Sequence, residues 1–62
     1  MTAKQIKDLR ASLKLTQEQF AQKVGVAHFT VVRWENKMSN PSRLAIAKLG
    51  NIKKELNNEH NN

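Results

Sequence analysis

The feature that most constrains this chain is a pair of adjacent segments joined by residues 25–27. Each segment carries the sequence signals of a helix. Thr16 and Gln19 have the spacing of a capping box, in which side chain and backbone satisfy each other's free N–H groups at a helix start. Gly25 favours the left-handed conformation that ends many helices, because it has no Cβ. The pattern predicts a helix that begins after Thr16, a tight turn, and a second helix over about residues 28–36.

Periodic apolar residues predict a further helix on each side of this pair. Thr2 and Gln5 repeat the capping-box spacing at the start of the first helix. Its apolar stripe consists of Ile6, Leu9 and Leu13. In the last helix, Asn40 would act as the cap and Pro41 would take the first position, where a missing N–H needs no partner. The residues that this helix is expected to bury recur at helical spacing, and they are Ala45, Leu49, Ile52 and Leu56, with Leu44 beside them.

Size and composition admit one small domain. The chain has 62 residues, so we expect a single domain over residues 1–56 and a disordered polar tail over residues 57–62. It has no cysteine and only 2 histidines, so we expect no disulfide, no zinc site and no cofactor. All apolar runs are short, and we therefore expect neither a membrane span nor a signal peptide.

The charge balance favours a polyanionic partner. Lys and Arg number 11 against 5 Asp and Glu, which gives a net charge of +6. Such a balance indicates nucleic acid first and an anionic membrane surface second. The chain offers no nucleophile with an adjacent base, no paired inward carboxylates and no glycine-rich phosphate loop, so we do not expect an enzyme.

A set of residues from the first to the last predicted helix agrees in type and spacing with one known family. The set consists of Arg10, the segment LTQEQFAQKVGV at residues 15–26, Val31, Trp34, Glu35, Asn36, Pro41 and Leu44. On these residues the chain resembles the lambda-repressor-like, Cro-type (XRE-like) helix-turn-helix family. The resemblance implies an all-α, compact domain of four or five helices. Its helix-turn-helix core would cover residues 16–36, with the recognition helix, about 28–36, in the major groove of operator DNA.

Helical angles place Arg10 and Glu35 on the inner edges of their helices. At about 100° per residue, Arg10 lies beside the apolar stripe of the first helix. Glu35 lies beside Val31 and Trp34, which we expect to face inward. A guanidinium at the edge of the core needs a carboxylate partner. The family resemblance also implies an ion pair between these two positions. We therefore expect an Arg10–Glu35 ion pair that fixes the tilt of the recognition helix.

The outward stripe of the third helix is expected to read DNA bases through His28, Phe29, Val32 and Arg33. Arg33 can pair with O6 and N7 of guanine, the commonest specific contact in the major groove. Phe29 and Val32 suit thymine methyl groups, unless the helix phase differs and the two belong to the core. His28 can donate to a base or a phosphate, or can simply be solvated.

A second group, with Gln17, Thr30, Asn36, Lys37 and Arg43, is expected to contact the DNA backbone. Gln17 lies at a helix start, which attracts phosphate, and the resemblance implies the same contact. The resemblance also implies phosphate contacts for Asn36 and Lys37, although many relatives have glycine at the position of Lys37. It implies a contact near the minor groove for Arg43, and Thr30 lies on the helix flank. The alternative for several of these side chains is simple exposure to solvent.

The sequence leaves open whether the partner is DNA or another protein. The same fold occurs in antitoxins and bridging factors, and a protein-interaction surface could use Phe29, Val32, Ile46 and Leu56. For DNA binding we expect a homodimer on a palindromic operator, because one helix reads only a few base pairs. The C-terminal end of the last helix is the expected interface. The expected protein is thus a repressor-like transcriptional regulator of bacterial or phage origin, in the cytoplasm.

Overall fold

The computed structural model describes residues 1–60, and these form four α-helices. The helices are α1 (Ala3–Ser12), α2 (Gln17–Val24), α3 (His28–Glu35) and α4 (Arg43–His60). The all-α class expected from the sequence is therefore confirmed. The recognition helix ends one residue earlier than expected, because Asn36 is its C-cap.

Both predicted capping boxes are present. The Gln5 backbone N–H donates to the Thr2 hydroxyl at 3.1 Å, and the Thr2 backbone N–H donates to Gln5 Oε1 at 2.8 Å. Thr16 and Gln19 make the same two hydrogen bonds. α3 differs, since Ala27 at its N-cap has no side-chain oxygen and the helix start has no side-chain cap. The position of α3 therefore depends on the preceding turn and on packing.

One hydrophobic core joins the four helices. Its buried members are Ile6, Leu9, Phe20, Ala21, Val24, Val31, Trp34, Ala45, Leu49 and Ile52. Val31 and Trp34 are the inward residues of α3, as the angular argument predicted. The opposite stripe of α3 must consequently face away from the core, since the helix has only one buried side.

The turn between α2 and α3 is fixed by Gly25. This residue has φ +88°, in the left-handed region, and its N–H donates to the Ala21 carbonyl at 2.8 Å. A Cβ at this position would lie 3.3 Å from Lys48 Nζ on α4. The left-handed backbone conformation therefore favours glycine here, whereas the flexible Lys48 side chain could move aside.

The start of α4 differs from the sequence prediction. α4 begins at Arg43, and the Ala45 N–H donates to the Ser42 hydroxyl at 3.2 Å. Ser42, not Asn40, is therefore the residue whose side chain caps the helix. Pro41 precedes this cap and is buried. Burial of the proline ring is the physical reason for the shift, because an apolar residue just before a cap can pack onto the fold.

The prediction that α4 buries Leu44 is wrong. The side chain is 69% exposed, whereas Ala45, Leu49 and Ile52 are buried and Leu56 is half-buried. Leu44 lies about 100° around the helix from Ala45, outside the narrow stripe that the small domain can cover. It is one of the large apolar side chains left on the surface.

α4 continues without interruption to His60. The helix thus includes residues 57–60 of the segment expected to be a disordered tail, while the rest of that segment lies outside the described residues. Over residues 1–60, none of the helices is both long and apolar enough to cross a membrane.

Candidate nucleic-acid interface

Arg10 and Glu35, the two residues expected to meet, form a bidentate ion pair between α1 and α3. Arg10 Nε donates to Glu35 Oε2 at 2.7 Å, and Arg10 Nη2 donates to Glu35 Oε1 at 2.9 Å. The Glu35 side chain is only 2% exposed, and that of Arg10 is 24% exposed. Arg10 Nη1 also donates to the Leu15 carbonyl at 3.1 Å. One guanidinium thereby links α1, the loop before α2, and α3.

The environment of Glu35 keeps its carboxylate charged. Burial alone would raise the pKa of Glu35, but hydrogen bonds from Arg10 and Gln17 and the positive charges of Arg10 and Lys7 outweigh it, so the pKa is below its usual value. The hydrogen bond to Glu35 raises the pKa of Arg10. Among the described residues, every buried side-chain nitrogen and oxygen atom has a hydrogen-bond partner. The pair is therefore a fully satisfied polar group at the edge of the core.

The sequence did not reveal that Gln17 joins this pair. Gln17 Nε2 donates to Glu35 Oε1 at 3.2 Å, so the first residue of α2 is tied to the last residue of α3. Because a buried carboxylate accepts several hydrogen bonds, the sequence indicates that Glu35 needs a further donor. It does not indicate which residue supplies that donor. The second N–H of the Gln17 amide and the free backbone N–H groups of the α2 start are left for other acceptors.

The outward face of α3 has the residues predicted to read bases. Phe29 is 61% exposed, His28 and Arg33 are also exposed, and Val32 is half-buried. The alternative that Phe29 belongs to the core is wrong. Val32 is partly exposed to solvent and partly covered by the protein. The Arg33 guanidinium lies over the Phe29 ring, 4.7 Å from its centroid. This stack was not predicted, although residues four apart on a helix are neighbours and their spacing was visible in the sequence.

The residues predicted to contact the DNA backbone lie mainly at helix ends. Gln17 begins α2, Asn36 caps the C-terminus of α3 and Lys37 follows it, and Arg43 begins α4. Thr30, on the flank of α3, is half-buried. Within the described part of the chain, side-chain contacts join the predicted site residues in two groups, Arg10 with Glu35 and Gln17, and Phe29 with Arg33. Over residues 1–57, whose side chains are described, no group of three or more metal-binding side chains is close enough to hold a metal ion.

Lys37 has a backbone conformation that suits glycine. Its φ is +61°, and Lys14 in the α1–α2 loop has φ +58°. We expect Lys37→Gly to raise the free energy of unfolding by about 0.5–1 kcal/mol, because relief of the left-handed strain exceeds the entropic cost of glycine. Loss of the charge should also weaken DNA binding and reduce the slope of log affinity against log salt by about 0.9 per subunit. Urea unfolding and DNA titrations at several salt concentrations measure both effects.

Two control variants separate these effects. Lys14→Gly relieves the same backbone strain, so its gain in stability should match that of Lys37→Gly. Lys54→Ala removes one charge from an exposed position of α4, where it should alter the salt slope much less. If Lys37→Gly bound DNA as tightly as the unmodified protein, with the same salt slope, Lys37 would make no phosphate contact.

Comparison with known proteins identifies one family. A family model described as helix-turn-helix matches residues 6–52, from buried Ile6 in α1 to buried Ile52 in α4. The match includes both groups of contacting site residues described above. Searches of curated proteins and of solved structures give no significant match.

Proposed function

Because the chain belongs to the lambda-repressor-like (XRE-like) helix-turn-helix family of DNA-binding regulators, we propose that it recognises a specific double-stranded operator and represses transcription. In this proposal α3 enters the major groove and the protein acts by binding, without catalysis or a cofactor. The observation that carries the proposal is the outward face of α3. An exposed phenyl ring and a guanidinium stand there side by side, on a helix whose other face is held in the core.

The ion-pair network supports rigid presentation of this helix. Glu35 accepts hydrogen bonds from Arg10 on α1 and from Gln17 on α2, so its position relative to both helices is fixed. Precise recognition requires such support, because base contacts depend on geometry within a fraction of an ångström. A phosphate bound by Gln17 at the α2 start would therefore be coupled, through Glu35, to the orientation of α3.

Base and backbone contacts have separate tasks in this proposal. Arg33 would donate two hydrogen bonds to guanine, Phe29 and Val32 would contact thymine methyl groups, and His28 would contact a base or phosphate. The backbone contacts would come from Gln17, Thr30, Asn36, Lys37 and Arg43. These contacts set the register of the helix and supply the salt-dependent part of the affinity, and the base contacts supply specificity.

A homodimer on a palindromic site completes the proposal. α3 has 8 residues and is about 12 Å long, so it spans only a few base pairs. Two copies would read half-sites about 34 Å apart and so multiply the affinity. We place the dimer contact on α4, where Ile46 is exposed and Leu56 is half-buried. Ile52 on the same helix is buried in the core and is not free to contribute.

Selection from a random pool of duplex DNA tests the proposal. We expect enrichment of a palindrome. Arg33→Ala should weaken binding to this palindrome by about 1–3 kcal/mol per half-site. With Lys37 and Arg43 each neutralising one phosphate per subunit, log affinity should fall with log salt at a slope of about −4 for the dimer. Lys54→Ala is the control for loss of charge alone.

A protein-interaction module is the second candidate, and exposed Leu44 and Met38 are the observation that favours it. Such a module would enrich no DNA sequence, and its affinity for an apolar partner would hardly change with salt. Enrichment of a palindrome together with a steep salt slope would therefore exclude it as the main function.

A further inference from the structure

We propose that Phe29 and Arg33 act as a single reading unit, in which Phe29 positions Arg33 on a guanine and itself contacts the C5-methyl group of the neighbouring base pair. This inference rests on the proposed function and makes it more specific. It assigns to each operator half-site a guanine directly beside a base with a C5-methyl group, normally thymine. The two side chains would then recognise one dinucleotide step and not two independent bases.

The stack leaves the hydrogen-bonding edge of Arg33 free. The Arg33 Cζ atom lies over the face of the Phe29 ring, 4.7 Å from its centroid. All five N–H donors of arginine lie in the plane of the group and point away from its face. A phenyl ring has no nitrogen or oxygen acceptor, so it restricts the motion of the side chain without satisfying the donors that guanine requires. Phe29 is in this sense a positioning residue for Arg33.

The separation of the two groups allows them to contact neighbouring base pairs. Successive base pairs of B-DNA are about 3.4 Å apart along the helix axis, and the guanidinium and ring centroid are 4.7 Å apart. When Arg33 engages the O6 and N7 atoms of a guanine, the ring is therefore beside the adjacent pair. The C5-methyl group is the apolar feature of that pair in the major groove.

The exposure of Phe29 supports a contact with an apolar group. The side chain is 61% exposed in the free protein, and removal of its apolar surface from water on binding is favourable. A phenyl ring has no hydrogen-bonding atom, so it senses the methyl group and not the O4 or N4 atom next to it. The inference therefore includes 5-methylcytosine as an acceptable replacement for thymine beside the guanine.

The test uses the full chain and an operator selected from the random pool. Thymine beside the guanine in each half-site is replaced by uracil, which lacks only the methyl group. We expect affinity to fall about fourfold per half-site, the value for one buried carbon group. In the same position, a 5-methylcytosine·guanine pair should bind more tightly than an unmodified cytosine·guanine pair by a similar factor. Uracil at thymines outside the two half-sites, beyond the reach of Phe29 and Val32, is the control and should have little effect.

Two variants distinguish the positioning role from the methyl contact. Phe29→Leu keeps an apolar side chain but removes the ring, so it should retain sensitivity to uracil while its preference for guanine falls about two- to fivefold. Arg33→Gln should lose the preference for guanine and keep the sensitivity to uracil. Both residues are exposed, so thermal unfolding should be nearly unchanged in either variant.

The outcomes separate this inference from the proposed function. If the protein enriched no DNA sequence at all, the proposed function would fail and the inference with it. A selected operator that lacks a methyl-bearing base beside guanine would overturn the inference alone. So would equal affinity for thymine and uracil at that position, or an unchanged guanine preference in Phe29→Leu.

Discussion

Replacement of Glu35 by alanine is expected to lower the free energy of unfolding by about 3 kcal/mol. The change leaves the Arg10 guanidinium without its carboxylate and removes the acceptor of the Gln17 amide. Removal of one partner of a buried ion pair costs about 3–5 kcal/mol, and the lower end applies here because Arg10 is 24% exposed and can regain water. Urea unfolding followed by far-UV circular dichroism measures the loss.

Glu18→Ala is the matched control for this change. Glu18 is an exposed residue in the first turn of α2, where a carboxylate stabilises the helix by about 0.3–1 kcal/mol. Arg10→Ala provides the converse test, because it leaves Glu35, only 2% exposed, without its ion-pair partner. Its cost should equal or exceed that of Glu35→Ala. Equal midpoints for the Glu35 and Glu18 variants would show that the pair adds no stability beyond that of a surface carboxylate.

The stability effect has a direct consequence for recognition. A small domain has a total free energy of unfolding near the lower end of the usual range, about 5–15 kcal/mol. A loss of about 3 kcal/mol through Glu35→Ala therefore leaves a protein that unfolds readily when warmed. Even in its folded fraction, α3 would lose its hydrogen bonds to both α1 and α2. We expect the affinity of this variant for a selected operator to fall by more than the unfolded fraction explains.

Local sequence signals predicted the parts of the fold that depend on local geometry. The capping boxes at Thr2 and Thr16 require only residues three apart. The phase of α3 follows from Val31 and Trp34, and the placement of Glu35 at the core edge follows from the same 3.6-residue period. These features could be predicted because each is determined within one or two turns of helix.

Features that depend on how helices meet could not be predicted in the same way. Both Asn40 and Ser42 are suitable caps, and burial of the proline between them decides in favour of Ser42. The Gln17–Glu35 hydrogen bond depends on the angle between α2 and α3. Exposure of Leu44 depends on how much of α4 the three shorter helices cover. None of these is encoded by spacing along the chain.

Phe20→Ala is expected to be the most damaging of the single changes considered, with a loss of about 3–5 kcal/mol. Phe20 is 0% exposed and lies among core residues from the other helices. Alanine would lose the transfer energy of the ring and leave a cavity that a small, tightly packed core can only partly close. The protein should then be largely unfolded near physiological temperature, as thermal unfolding followed by circular dichroism would show.

Phe29→Ala is the matched control, since it makes the same chemical change at a side chain that is 61% exposed. We expect its stability to stay within about 0.5 kcal/mol of the unmodified protein, while its affinity for a selected operator falls. The two variants thus lose DNA binding for different reasons, Phe20→Ala by unfolding and Phe29→Ala by loss of a surface contact. Comparable destabilisation by both would mean that Phe29 contributes to the core. In that case the outward stripe of α3 could no longer be the surface on which DNA recognition depends.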